Sequence, residues 1–215
     1  MPLYQKKDKY GNEKNIFFFH VPKNGGGSIK SFFHLNNFDK GAGPDYDHAV
    51  PNGDILKPYL NKRNTDFHFK FMIFRNPIDR ILSEFKWLGN GIKNRNENGF
   101  PKFVKDVIEK VKVDRSIGNN HIRPQTDYFF EGTNIYLFGE FEKIISDLND
   151  IVEIENKNFP HINKGINIDE FTIDDDTLSL IKDYYSKDFE FYKKISESKK
   201  IKLSKKDINV FRGTI

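Results

Sequence analysis

The 215-residue sequence contains no cysteine. Without thiols there is no disulfide framework, no thiol nucleophile and no Cys-ligated zinc, so a disulfide-stapled secreted fold is excluded. No apolar run approaches the roughly 18 residues of a membrane span. The start, Met1-Pro2-Leu3-Tyr4-Gln5-Lys6-Lys7-Asp8, lacks the apolar centre of a signal peptide. The chain is therefore expected to be soluble and cytoplasmic, with no membrane span. Internal repeats are absent too. Neither sign of charge dominates, since 35 Lys and Arg stand against 31 Asp and Glu for a net charge of +4. That mild excess suits an anionic ligand, but the basic residues are dispersed and match no nucleic-acid motif, so no nucleic-acid partner is expected. No His and carboxylate spacing suggests a metal site, and the expected metal complement is none.

What the chain does have is aromatic bulk: 22 Phe, within a hydrophobic content of 37%. Its length fits one domain with a full core. Residues 1–14 read as a polar lead-in, 15–198 as the domain and 199–215 as a basic tail. Ile16-Phe17-Phe18-Phe19 is a wholly apolar run ended by a Gly-rich loop, the pattern of a strand buried on both faces. A helix is expected from Ser28 to Leu35, and a short one from Asp54 to Leu60. Phe67 to Phe74 predicts a second strand. It runs into Arg75-Asn76-Pro77, where proline suits the first turn of a helix carrying Ile78, Ile81, Leu82, Phe85 and Leu88 on one face. Phe100 to Val111 predicts an amphipathic helix, and 112–127 irregular chain. Ile135 to Phe138 predicts a third strand, followed by a helix from Glu142 to Ile151 and a short strand at Val152-Glu153-Ile154. Asp174 to Tyr185 predicts a helix that Phe189 to Ile195 continue. Alternation of short apolar strands with helices gives the fold class: α/β, a single domain with a mainly parallel central sheet flanked by helices and a P-loop-like strand-loop-helix.

In such sheets ligands bind at the carboxyl ends of the strands, and two turns lie there. The first is His20-Val21-Pro22-Lys23-Asn24-Gly25-Gly26-Gly27-Ser28. Its glycines let the backbone curl and aim N–H groups at an anion, and the following helix adds its positive dipole end. Lys23 offers a mobile positive charge and Ser28 a hydroxyl. This is not a Walker A loop, because its lysine precedes the glycines and no Lys-Ser or Lys-Thr opens the helix. The second turn, Phe74 to Ser83, places Arg75 at a strand end and Ser83 about two helical turns further on. A guanidinium and a hydroxyl converging in this way can share one phosphate.

Taken together, these turns resemble those of sulfotransferases that use 3′-phosphoadenosine 5′-phosphosulfate (PAPS). The likeness is to the carbohydrate-type branch that includes heparan sulfate 2-O- and 6-O-sulfotransferases and their bacterial relatives. Phe69 to Ser83 is similar to that family's 3′-phosphate segment almost throughout. His121-Ile122-Arg123-Pro124-Gln125, His161-Ile162-Asn163 and Tyr184-Tyr185 with Asp188-Phe189-Glu190 resemble further family segments in the same order. The resemblance implies that Lys23, Asn24, Gly25, Gly26, Gly27 and Ser28 hold the 5′-phosphosulfate, and that Arg75 and Ser83 hold the 3′-phosphate. The product would be adenosine 3′,5′-bisphosphate, and the acceptor a hydroxyl compound, by resemblance a saccharide. The family loop usually reads Lys-Thr-Gly-Gly-Thr-Ser, so Asn24 and Gly27 are departures that remove hydroxyls.

Sulfuryl transfer needs charge stabilisation at the leaving oxygen, a role open to Lys23, and a base for the acceptor proton. Of six histidines, His48 is the expected base, because it lies between the first helix and second strand where the resembling family often carries one. Asp45 or Asp47 is expected to orient it. His20, His121 and Arg123 are expected to touch substrate or cofactor, with His121 or an acidic side chain next in line as base. His34 and His68 read as structural. Two other readings stand beside this one: a PAP- or PAPS-binding homologue with impaired catalysis, suggested by the altered loop, and a nucleotide kinase-like protein that binds ATP with magnesium.

Overall fold

The computed structural model describes residues 3–41, 48, 50–51, 56–63, 66–89, 99–160 and 172–212. Along the chain come β1 (Leu3–Lys7), β2 (Glu13–Phe18), α1 (Gly26–Leu35), β3 (Asp39–Lys40), α2 (Leu56–Arg63), β4 (Phe69–Phe74), α3 (Pro77–Gly89) and α4 (Gly99–Val113). A 3-10 turn at Gln125–Tyr128 precedes β5 (Asn134–Leu137), α5 (Phe141–Asn149), α6 (Asp175–Tyr184), α7 (Ser186–Ser198), β6 (Lys200–Lys202) and α8 (Lys205–Phe211). The strands form one sheet in the order β3-β1-β2-β4-β5-β6. The central trio β2, β4 and β5 is parallel, whereas β1 with β2, β1 with β3 and β5 with β6 pair antiparallel. The architecture is the expected α/β domain, with its parallel part confined to the centre.

Apolar strands form here because both sheet faces are covered. Phe17, Phe19, Met72, Phe74, Ile135 and Leu137 pack on one face with Leu56 and Leu60 of α2 and Phe191 and Ile195 of α7. The alternate residues Ile16, Phe18, Phe69, Phe71, Ile73 and Tyr136 pack on the other, with Phe32 and Phe33 of α1 and Ile144 and Leu148 of α5. Each fully buried Phe contributes about 1.5–3 kcal/mol. A third cluster joins Leu82 and Phe85 of α3 to Phe103, Val104 and Ile108 of α4 and Ile181 of α6. Among the described residues no helix is long and apolar enough to cross a membrane.

Several sequence expectations need correction. The lead-in is β1, which pairs with β2 from Leu3↔Phe17 to Lys7↔Glu13. Its turn is closed by the Asp8 carboxylate, which accepts from the backbone N–H of Tyr10 and Asn12 at 2.9 Å each. The basic tail contributes β6 and α8, and Leu203 is buried in the core. In the strands β1 and β6 and the residue that follows β6, the apolar signal comes from Leu3, Tyr4, Ile201 and Leu203, too little to stand out amid lysines. Val152-Glu153-Ile154 is not a strand. Val152 and Ile154 are buried, but the Val152 N–H bonds back to Leu148 and the Ile154 N–H to the Asn149 side chain, closing the end of α5. Three residues that alternate apolar, charged and apolar look the same in a strand and in a packed loop. The helix expected to continue past Tyr185 is two helices, α6 and α7, meeting at Tyr185, whose hydroxyl donates to the Ile122 carbonyl at 2.6 Å.

Candidate active site

The first turn leaves the sheet where the β2–β4 ladder ends, at the Phe19 N–H bond to the Phe71 carbonyl. Lys23 (φ 67°) and Gly25 (φ 84°) both take left-handed backbone, and Gly25 opens α1. Gly25 brings no capping side chain and the first turn holds no acidic residue, an N-terminus that suits an anion. The three glycines have distinct reasons. A Cβ on Gly25 would stand 3.3 Å from the Phe138 ring in an already left-handed backbone. On Gly26 it would sit 1.8 Å from His20 Nε2, so the imidazole occupies the space that a side chain would need. A Cβ on Gly27 would meet no described residue within 4 Å outside its own helix turn. Ser28 is half-buried on the first turn of α1.

Asn24 behaves differently from the expectation. Its side chain is buried and turned inward, its Nδ2 donating to the Ile73 carbonyl (2.7 Å) and to Gln125 Oε1 (2.6 Å). The loop therefore presents backbone, not the Asn24 amide, to a ligand.

The second turn starts at the end of β4, where the Asn76 side chain caps α3 by accepting from the Ile78 N–H at 2.9 Å. Arg75 is buried, with its guanidinium 4.6 Å from the centroid of Phe138 and its Nη1 donating to the Lys23 carbonyl at 3.0 Å. Its buried Nε finds no acceptor among the described residues. Burial pushes Arg75 below the ordinary arginine pKa, Asp79 opposes that, and Arg80 adds to it. Burial likewise raises the Asp79 carboxyl against the pull of Arg75. An orphaned, desolvated guanidinium donor at a strand end suits an oxyanion. Ser83 lies two turns along α3, half-buried. Phe138, at the end of β5, stands between the two turns. Beside it a cleft of about 450 Å³ is lined by Gly139, Glu140, Phe141, Lys157 and Phe159 among others.

Three histidines meet next to the first turn. The His48 ring lies 4.6 Å from that of His20 and 4.7 Å from that of His121, both edge-on. Asp45 and Asp47 lie outside the described residues, as does His161. What holds His48 is the turn at 118–120, where Gly118, Asn119 and Asn120 are all left-handed. That turn aims two amides: Asn120 Nδ2 donates to the His48 carbonyl at 2.9 Å, and Asn119 Nδ2 faces His48 Nδ1 at 3.2 Å. His121 Nδ1 is held at 2.8 Å by Glu84 Oε2, a carboxylate buried on α3. The indole of Trp87, one turn on, lies against His121 at 5.3 Å and under the Lys23 ammonium at 4.9 Å. Burial lowers the Lys23 pKa, opposed by Glu84 and assisted by Arg75.

Arg123, expected to touch a ligand, is instead turned to Asp127, its Nε donating at 2.8 Å and its Nη1 reaching Asn120 Oδ1 at 3.4 Å. It supports the turn that grips His48. His68 is structural as expected, its Nδ1 accepting from the Asn15 N–H at 3.1 Å, and His34 is exposed near the end of α1. Sequence reasoning missed Arg80, which is buried and donates to the carbonyls of Pro22 (3.1 Å) and His121 (2.7 Å), tying loop and histidine segment to α3. Arg80 and Glu84 are four apart, which reads as a surface ion pair. Phe138 was within reach of the strand-end rule.

A Gly-rich strand-loop-helix beside a second basic turn, with imidazoles next to it, is a geometry suited to an α/β enzyme that handles a phosphorylated or sulfated group. The chain belongs to the sulfotransferase family: residues 10–194 match the sequence model described as "Sulfotransferase family". Comparisons with curated proteins and with solved structures give no match.

Proposed function

We propose that this sulfotransferase moves a sulfuryl group from PAPS to a hydroxyl of a saccharide. The observation that carries the reading is the junction of the two turns: Arg75, with a buried donor still unsatisfied among the described residues, is bonded to the carbonyl of Lys23 itself. That pairing suits one ligand with an anion at each end. In this reading Lys23, the backbone of Gly25 to Gly27 and Ser28 hold the 5′-phosphosulfate, while Arg75 and Ser83 hold the 3′-phosphate. The cleft beside Phe141 is of a size that accepts a small-molecule group, and the purine is assigned to it.

PAPS supplies the sulfuryl group. As the acceptor O–S bond forms and the S–O bond to the 5′-phosphate breaks, Lys23 neutralises charge on the departing oxygen. The acceptor proton passes to an imidazole. His48 is the first candidate, because it stands between His20 and His121 at the mouth of the loop. A second reading gives the role to His121. A buried carboxylate on Nδ1 fixes the tautomer that leaves Nε2 basic, whereas an amide N–H donated to His48 Nδ1 places that ring's proton on Nε2.

Thermal shift tests the cofactor assignment, because a ligand that binds only the folded state raises Tm. Adenosine 3′,5′-bisphosphate should stabilise the protein, and ATP with magnesium should not; the reverse result would point to a kinase-like NTP site. For the base, His48→Ala, His121→Ala and Glu84→Gln are compared by kcat and by bisphosphate affinity. Loss of turnover with unchanged affinity in His48→Ala alone assigns His48. The same loss in His121→Ala and Glu84→Gln assigns the dyad. Full turnover in all three would leave the histidine mechanism without support.

A further inference from the structure

Among the described residues no backbone bond joins the β2 chain to the β4 chain beyond Phe19, yet the proposed anion turns lie beyond that point. Besides the bonds of Arg75 to the Lys23 carbonyl and Arg80 to the Pro22 carbonyl, a buried amide pair spans them. Gln125, fully buried at the start of the 3-10 turn, bonds the backbone of Arg75 on both sides, as a neighbouring strand would. Its Oε1 accepts from the Arg75 N–H at 2.9 Å and its Nε2 donates to the Arg75 carbonyl at 2.8 Å. The same Oε1 accepts from Asn24 Nδ2, and Asn24 also donates to the Ile73 carbonyl. Gln125 is itself fixed from behind, because its N–H donates to the buried Asp188 carboxylate at 2.8 Å, beside bonds from the Thr126 N–H and hydroxyl. Asn24 Oδ1 is buried with no donor among the described residues. An amide kept in the interior with half its capacity unused calls for an explanation.

We infer that the Asn24–Gln125 clasp fixes the separation of the two anion turns and thereby sets the preference for a nucleotide phosphorylated at both the 5′ and 3′ positions. The inference rests on the assignment of the turns in the proposed function and adds positioning residues to it. Two anion sites reinforce each other on one ligand only when they are held at that ligand's own spacing. Loosening the clasp should therefore leave each site able to bind a single phosphate while removing the gain from binding both. It also gives the departure at position 24 a use. A threonine hydroxyl, one atom shorter, does not replace an amide that reaches Gln125.

The test is calorimetric titration of the full chain with adenosine 5′-monophosphate, adenosine 3′-monophosphate and adenosine 3′,5′-bisphosphate. The proteins are wild type, Asn24→Thr, Gln125→Met and the double variant. The two monophosphates should bind each variant within about twofold of wild type. The preference for the bisphosphate should fall about tenfold, the scale of one or two buried hydrogen bonds. The double variant should be no worse than Gln125→Met, since both changes break one clasp. Equal weakening of all three ligands would reduce Gln125 to a general structural role and overturn the inference, as would an undiminished preference. If Gln125→Met does not fold, Asn24→Thr decides the matter alone. A wild type that ignores the bisphosphate in favour of ATP with magnesium refutes the PAPS assignment and the clasp with it. A wild type that prefers the bisphosphate while both variants keep that preference refutes only the clasp.

Discussion

Three adjacent glycines look equivalent in a sequence and are not equivalent in space. Gly26 is obligatory because His20 Nε2 fills its side-chain position, whereas a Cβ on Gly27 would meet no described residue within 4 Å outside its own helix turn. Gly26→Ala should push the His20 ring towards His48, costing about 1–3 kcal/mol by overpacking. Melting should fall by several degrees and turnover should drop. Gly27→Ala keeps the backbone N–H and gains helix propensity, so it should raise stability by up to about 1 kcal/mol and Tm by up to roughly 4 °C. Paired thermal melts check both, and equal destabilisation by the two alanines would contradict this account of the loop. That glycines belong here was legible, because a strand followed by a Gly-rich turn has few other uses. The direction of Asn24 was not, since its partner Gln125 is 101 positions away and nothing local fixes its rotamer.

At the scale of elements, what the sequence could show was periodicity, and what it hid were polar contacts between elements. The apolar stripe of α3 was plain, yet Arg80 and Glu84 on its other side reach the loop and His121 rather than each other. The irregular stretch 112–127 concealed the left-handed turn that grips His48, since Asn tolerates that backbone without announcing it. The end of the chain hid a cap. Ser204 and Asp207 form a reciprocal capping box on α8, and Asp207 also accepts from Lys194 of α7. Burial alone would raise the Asp207 pKa, but the bonds from Lys194 and Ser204 outweigh it and hold the carboxyl below its ordinary value. A depressed carboxyl contributes its stability above the unfolded pKa of about 3.9 and loses it as pH falls through the folded value. Asp207→Ala should thus cost about 1 kcal/mol at pH 7, or roughly 2–4 °C in Tm. The difference from wild type should shrink as the pH is lowered below about 4. A pH-independent difference would mean that the carboxylate charge has no part in the cap.

At the scale of the whole molecule, the parallel centre was readable because Ile16–Phe18 of β2, Phe71–Phe74 of β4 and Ile135–Leu137 of β5 are buried on both faces and form short apolar runs. The antiparallel edges were not, because an edge strand contributes few buried side chains and is rich in lysine. Lysine on an edge discourages pairing with other chains, so the signal that masks such a strand also has a purpose. The edge matters all the same. β6 pairs with β5 over Asn134↔Lys202, Ile135↔Ile201 and Tyr136↔Lys200, Leu203 enters the core with Phe191 and Ile195, and the Leu203 N–H bonds to the Thr133 carbonyl at 2.8 Å. A chain shortened after Ser198 loses all of this and bares β5, whose carboxyl end supports Phe138 between the turns at residues 20–28 and 75–77. Burial of Leu203 with half-buried Ile201 is worth about 2 kcal/mol or more, so Tm should drop by roughly 4 °C or more. The shortened chain should also associate through the exposed strand in size-exclusion chromatography. A chain ending after Ser204 keeps β6 and Leu203 and loses only α8, so it should remain monodisperse with a smaller drop. If both truncations melt alike, β6 is not what closes the sheet, and the support of Phe138 must come from α5 and the body of β5 instead.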